Sequence, residues 1–316
     1  LDDVVFRVAA TDYTWEDVLD WGRRQGAWSD HVREVREGVA ALALALAPEG
    51  RRDEEVRAAA AAFRRRHRLI SAEDTERWLA GRRLSVSAWM DHIRRTVARE
   101  RHPEVQAGPA PDPDEASRLW ATGICSGLYS TFASAVAERA AAAAARAEAA
   151  GAEPGDGDRW EVLEAAYVAF RQAAATDRAV AEEVVARRLD WIDLDLEWVS
   201  FPEEATAREA LLCLREDGDF SATLSSGDTP ARGVPGRRRA PLCDFEPELR
   251  PALLGARAGD ALGPARTGDG WRVTRVVTRE APAEDDEEVR GRAAAAVADR
   301  AVRREVEQRV RWHERY

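Results

Sequence analysis

Not one lysine occurs in the 316 residues, and every cation other than histidine is arginine. We read this as a base-composition bias of the genome, without functional content. Sulfur is scarce too, at three cysteines and one methionine. Cys125, Cys213 and Cys243 lie far apart with no C-x-x-C spacing. An odd, sparse set of this kind makes neither a disulfide framework nor a thiolate zinc site. Reduced thiols are the simplest reading, and they make the cytoplasm the provisional expectation. Histidine is equally thin: His31, His67, His92, His102 and His313 include no pair at i, i+4 and no H-E-x-x-H. Scattered on arginine-rich helices, they are expected to be solvated, and neither metal nor cofactor is expected.

Long apolar runs are also missing, and nothing approaches the roughly 18 residues of a membrane span. The longest small-residue stretch, Ala140 to Ala145, is flanked by Glu138, Arg139 and Arg146 and reads as exposed helix. Positive charge is in deficit, with a net charge of −11. That balance argues against non-specific nucleic-acid binding, which draws its affinity from cations meeting phosphate.

The residues that are present suffice for two or three compact units, each with a core. A hydrophobic fraction of 45% beside a charged fraction of 33% is that of a soluble globular protein. Four blocks are expected: a helical domain over 1–112, a helical connector over 113–190, a small mixed domain over 191–283 and a C-terminal helix over 284–316 that docks back on the first. The fold class is α+β and predominantly α.

Val4–Val8 reads as a strand, and helices are expected to start near Thr14, His31, Asp53 and Ser71. Ser71 stands three residues before Asp74, the spacing that satisfies the free N–H groups of a first turn. Ser85 or Ser87 caps the next helix, whose stripe is Trp89, Met90, Ile93 and Val97. PEVQAGPAPDP at 103–113 is a linker. One long helix is then expected from Pro113 to Ala150, another from Arg159, and a further one capped by Asp177 and reaching Arg188. From Leu194 a strand leads to a helix over Glu203–Glu216. A glycine- and proline-dotted loop follows over 227–241, then a short helix near Glu246–Leu254 and a strand over Trp271–Val277. The last block, Glu287–Tyr316, reads as helix throughout.

Residues 259–276, GDALGPARTGDGWRVTRV, place turn glycines at 259, 263 and 270 ahead of an alternating strand. Upstream stand Ala207-Arg208-Glu209-Ala210-Leu211-Leu212 and Arg215-Glu216-Asp217-Gly218-Asp219-Phe220. Together these segments, within about Trp198 to Val277, resemble the parvulin-type peptidyl-prolyl isomerase family. Residues 61–95 are similar to the capped helices of the SurA- and PrsA-type chaperone N-domain, to which a C-terminal helix returns. The middle, roughly 113–176, matches less well and is similar to a branch of parvulin-related proteins associated with peptide maturation.

The resemblance implies two histidines on neighbouring central strands, facing a Cys or Asp. On this alignment those positions hold Trp198 and Arg272, and Asp228 is the nearest acid. The resemblance therefore implies a parvulin-like protein without its imidazoles, binding peptide or unfolded segments as a chaperone or maturation factor. An active isomerase with an altered pocket is the alternative. The peptide-binding residues expected are Trp198, Asp228, Leu242, Phe245, Trp271 and Arg272.

Other clusters have plainer readings. Cys125, in the stripe Leu119, Trp120, Ile124, Leu128 and Phe132, reads as a buried thiol. Asp190, Asp193 and Asp195 read as charge on a strand approach, and Arg237–Arg239 as an exposed loop. The eleven tryptophans are expected mostly in cores, with some lining a groove for extended peptide.

Overall fold

The computed structural model describes residues 2–45, 51–106, 112–151, 157–217, 234–268, 270–283 and 285–313. Among the described residues, twelve α-helices and two small antiparallel sheets make a predominantly α protein of the α+β class. No described helix is long and apolar enough to cross a membrane.

The chain divides into two compact units. The first holds 1–171 and 301–316, and the second 172–300. The four blocks expected from sequence therefore reduce to two. The reason is packing: Ile124, Cys125, Tyr129, Phe132 and Val136 of the supposed connector share one core with Val5, Phe6, Trp15 and Val18.

In the first unit, β1 (Val4–Val8) lies between β2 (Thr11–Thr14) and β7 (Val310–Trp312). The C-terminal segment ends as this strand and not as helix, with Phe6 opposite Trp312. Phe6 stacks on Tyr13 at 4.8 Å and meets Trp312 at 5.2 Å, pairs worth about 0.5–1.5 kcal/mol each beyond their burial. Helices α1 (Trp15–Arg23), α2 (Gly26–Leu44), α3 (Arg51–Arg66), α4 (Ala72–Gly81) and α5 (Val86–Arg101) follow. Thr14 caps α1 and Ser71 caps α4, each in a reciprocal box with the acid three residues on. Ser85, and not Ser87, caps α5.

The long helix expected from Pro113 to Ala150 is two, α6 (Glu115–Ser126) and α7 (Leu128–Ala150). Gly127 breaks it at φ +83°, a left-handed conformation that a residue with a Cβ adopts at a cost. The alanine run on α7 is not exposed: Ala140, Ala141 and Ala142 are buried. Their side chains end at a methyl, which lets neighbouring elements approach the helix backbone. Helix α8 (Arg159–Ala174) buries Trp160 and Leu163.

The second unit contains α9 (Asp177–Ala186), capped by the Thr176 hydroxyl and not by Asp177. Strand β3 (Asp193–Phe201), α10 (Glu204–Asp217), β4 (Val234–Pro241), a 3-10 turn at Leu242–Asp244, α11 (Arg250–Gly255), β5 (Ala261–Thr267) and β6 (Gly270–Glu280) follow. Helix α12 (Glu287–Arg309) then runs to the residues of β7. The strands form one sheet in the order β4-β3-β6-β5. Two of them were not expected. The arginine run of β4 looks like an exposed loop until its partners are known, and β5 is interrupted at Gly263-Pro264, which breaks its register.

Candidate functional site

Strand alternation sends β3 side chains to two different faces. On one, Leu194, Leu196 and Trp198 join Ala240, Leu242, Phe245, Leu253 and Val276. On the other, Val199 and Phe201 pack with Val273, Trp271 and α10 residues Ala207, Ala210, Leu211 and Leu214.

The two positions aligned with the family's imidazoles share the first face. Trp198 stands opposite Thr274 of β6, and Arg272 opposite Ser200 of β3, so they are diagonal neighbours on the central strands. The Arg272 guanidinium lies 4.9 Å from the Trp198 ring centroid. On the other side of β3, Trp198 faces Gly236. A Cβ on that glycine would sit 2.4 Å from the indole Cε2, so the ring occupies the space a side chain would take. Among the described residues Arg272 has only a distant carboxylate, Glu246 at 3.8 Å, and its buried Nε has no hydrogen-bond partner. An indole and a guanidinium thus cover the spot together, joined by a cation–π contact.

The remaining expected residues separate. Leu242 and Phe245 lie on the Trp198 face and are each 4% exposed, within its core. Trp271 belongs to the opposite face, because it is the immediate chain neighbour of Arg272 on a strand. Asp228 lies outside the described residues.

Two of the acids and two of the arginines flagged as separate clusters are each other's partners, while Asp190 is held by Arg187 at 2.8 Å. Arg237 holds Asp195 at 2.5 Å and Arg239 holds Asp193 at 2.6 Å across the β3–β4 pair. The Arg237 guanidinium keeps the Asp195 carboxyl below its ordinary range. A cavity of about 480 Å³ in this unit is lined by such groups. Its Arg239 also reaches Glu280 at 3.0 Å, and Arg292 reaches Asp244 at 3.0 Å and Glu288 at 3.1 Å. Arg239 and Arg292 are thus paired, and the third guanidinium of the lining, Arg238, lies over the Phe245 ring at 5.3 Å.

Apolar clefts among the described residues of the first unit include the following two. One of about 490 Å³ runs along α7 and α8 beside β2 and is lined by Tyr13, Ala143, Ala147, Val162 and Ala166. The other, of about 560 Å³, is walled by Trp28, Trp120 and Tyr129. Sequence reasoning singled out neither, because their linings come from segments more than a hundred residues apart. Cys125 is buried, and burial pushes its thiol up to about 12. It is no nucleophile at neutral pH. His31 and His92, expected on solvated faces, are buried instead. His31 bonds the Leu119 carbonyl at 3.1 Å and His92 the Thr122 hydroxyl at 3.3 Å, contacts that join α2 and α5 to α6. No group of three His, Cys, Asp or Glu poised to hold a metal occurs among the described residues.

No protein-family model and no curated protein matches this chain. Solved structures similar to parts of it include three described as PrsA. The peptidylprolyl isomerase PrsA of Bacillus cereus is 14% identical, covering 52% of this chain and 66% of that one, with a TM-score of 0.33. PrsA of Bacillus subtilis is 16% identical over 61% and 87%, with a TM-score of 0.23. The peptidylprolyl isomerase PrsA of Bacillus anthracis is 10% identical over 79% and 94%, with a TM-score of 0.27. The chain spans just under two thirds of the first of these. Overlaps with TM-scores below 0.5 decide nothing about this chain, so its function has to be argued from its own residues.

Proposed function

We propose that this protein holds peptide or unfolded segments, as a chaperone or an accessory factor in peptide maturation, and that its second unit is a parvulin-like domain without isomerase activity. The element order β3-α10-β4-α11-β5-β6, with β3 and β6 as neighbouring central strands, supports the domain reading. The observation that carries the absence of catalysis is the Arg272–Trp198 stack at 4.9 Å, on the two positions aligned with imidazoles. Residues 172–300 contain no histidine at all.

Prolyl isomerisation needs no nucleophile. It needs a pocket that desolvates the proline and stabilises a twisted amide against a barrier of about 18–20 kcal/mol in ordinary peptides. A guanidinium lying on an indole, over a floor whose Leu242 and Phe245 are buried, offers that substrate neither depth nor a neutral wall. Holding then falls to the helical unit, whose apolar clefts of about 490 and 560 Å³ lie within the roughly 300–1,000 Å³ of ligand pockets. The three free thiols, one of them the exposed Cys213, suit a reducing cytoplasm.

The test is exchange NMR of a set of Xaa-Pro peptides with and without the protein. The expected result is no change in cis–trans exchange rate, together with peptide-dependent shifts in the protein's spectrum. A rate enhancement abolished by Trp198→Ala or Arg272→Ala would establish the alternative, an isomerase with an altered pocket.

A further inference from the structure

The cleft of about 560 Å³ in the first unit has a composition that specifies more than apolar contact. Its floor is Leu19, Leu84 and Tyr129, all buried. Its walls are rings: Trp120 lies 5.6 Å from Tyr129, and Trp28 stacks on Tyr129 at 6.3 Å and 10°. Two ring polar groups are spent inside the protein. The Trp120 indole N–H donates to the Arg82 carbonyl at 3.1 Å, and the Tyr129 hydroxyl donates to the Leu119 carbonyl at 3.2 Å. These two rings therefore have no hydrogen-bonding demand left for an occupant to meet, which suits an aromatic guest.

The rim has a different character. Arg23 and Arg83 are both exposed there. Arg83 is held by Asp3 at 2.5 Å. Arg23 lies over the Trp28 ring at 5.6 Å and has no carboxylate partner among the described residues. Its guanidinium therefore gives the mouth of this apolar cleft a positive charge in a chain of net charge −11. A guanidinium offers a carboxylate two parallel N–H donors. The alanine-lined cleft offers one ring, Tyr13, where this one offers three, Trp28, Trp120 and Tyr129.

We propose that this pocket takes an aromatic side chain of a peptide segment whose neighbouring residue is an acid, the ring entering between Trp28 and Trp120 and the carboxylate meeting Arg23. The proposal rests on the peptide-holding reading and adds to it a site and a sequence preference. The exposed rim formed by Ser85, Ala116 and Ser117 lets a chain pass over the mouth while one side chain descends.

Indole N–H resonances of the full chain provide a site-specific readout, with Trp28, Trp120 and Trp198 assigned by single Trp→Phe variants. The probes are Ac-Gly-Glu-Phe-Gly-NH2, its charge-reversed form Ac-Gly-Lys-Phe-Gly-NH2, Ac-Gly-Glu-Ala-Gly-NH2 and free 3-phenylpropionate. The Glu-Phe peptide is expected to shift Trp28 and Trp120 and to bind about tenfold more tightly than the Lys-Phe and Glu-Ala peptides, a difference of about 1.4 kcal/mol. Arg23→Gln, at an exposed position that does not threaten folding, is expected to erase the preference for Glu over Lys. Equal binding of the two Phe peptides, or an Arg23→Gln variant that keeps the preference, overturns the proposal. So does 3-phenylpropionate binding as tightly as the peptide, which would make the ligand a small acid. Shifts confined to Trp198 would sink this pocket and leave peptide holding standing, whereas silence at every indole would sink both.

Discussion

Gly236 is the residue on which the Trp198–Arg272 arrangement depends, because the indole fills the space above it. Gly236→Ala must push the ring toward Arg272 or distort the β3–β4 pair. Overpacking of this kind costs about 1–3 kcal/mol, to be read as a lowered denaturation midpoint. An unchanged midpoint would mean that the indole has room to move and that its contact with Arg272 is incidental. A second residue-scale prediction concerns His92. Burial first, and the nearby Arg95 next, bring its pKa from an ordinary 6.5 down to about 4. The folded chain thus keeps His92 neutral while the unfolded chain protonates it. The stability is complete above pH 6.5 and is lost progressively as pH falls toward 4, by on the order of 2–3 kcal/mol. The groups facing it are the Thr122 hydroxyl, Arg95, Asp91 and His31. His92→Gln should flatten the fall in unfolding free energy between pH 6.5 and 4, and an undiminished slope would assign it to His31, whose pKa burial also lowers.

At the scale of elements, α3 and α4 end alike. In each, an arginine, Arg68 at φ +56° and Arg83 at φ +54°, takes the left-handed position usually given to glycine. The Leu69 N–H returns to the Arg64 carbonyl at 2.8 Å and the Leu84 N–H to the Leu79 carbonyl at 2.9 Å, closing both ends. Arg68→Gly should relieve the backbone and stabilise the protein by about 0.5–1 kcal/mol. Ser71→Ala, three residues on, removes the cap of α4 and should cost about 1 kcal/mol. Thermal unfolding of the two variants should move in opposite directions, and parallel shifts would contradict the local account. The Ser71 cap was readable in sequence because a capping box is a contact between residues three apart, whereas at α9 the cap is Thr176 and not the expected Asp177. The turn glycines at 259, 263 and 270 were readable for a similar reason, and all three have positive φ. The break at Gly127 was not, since the apolar stripe runs on through it and only φ separates the two helices. Nor was β4: Arg237 and Arg239 resemble a loop until Asp195 and Asp193, more than forty residues earlier, are placed beside them.

Across the whole molecule, what sequence could not supply was which distant segments share a core. Trp198 and Arg272 could be put on adjacent strands by motif, but the assignment of Trp271 to the other face and the burial of Leu242 and Phe245 required the packed sheet. The same limit hid the ring-walled cleft, since Trp28, Trp120 and Tyr129 come from three helices. It also hid the last strand. Val310 is 5% exposed and Trp312 leans on Phe6, so the first unit is completed by residues some three hundred positions from its first strand. Deleting residues 310–316 uncovers one edge of β1 and removes the Val310 burial and an aromatic pair. Together these are worth roughly 2–4 kcal/mol. The second unit keeps its own clusters around Leu194 and Val199, which include no residue of the deleted segment. Urea titration followed at the indole signals should therefore show Trp15 and Trp21 losing native dispersion at lower urea in the deletion variant. Trp198 and Trp271 should keep theirs to the wild-type midpoint. If all four signals moved together, the two cores would have to unfold as one cooperative body, and the division of the chain at residue 171 would not describe its stability.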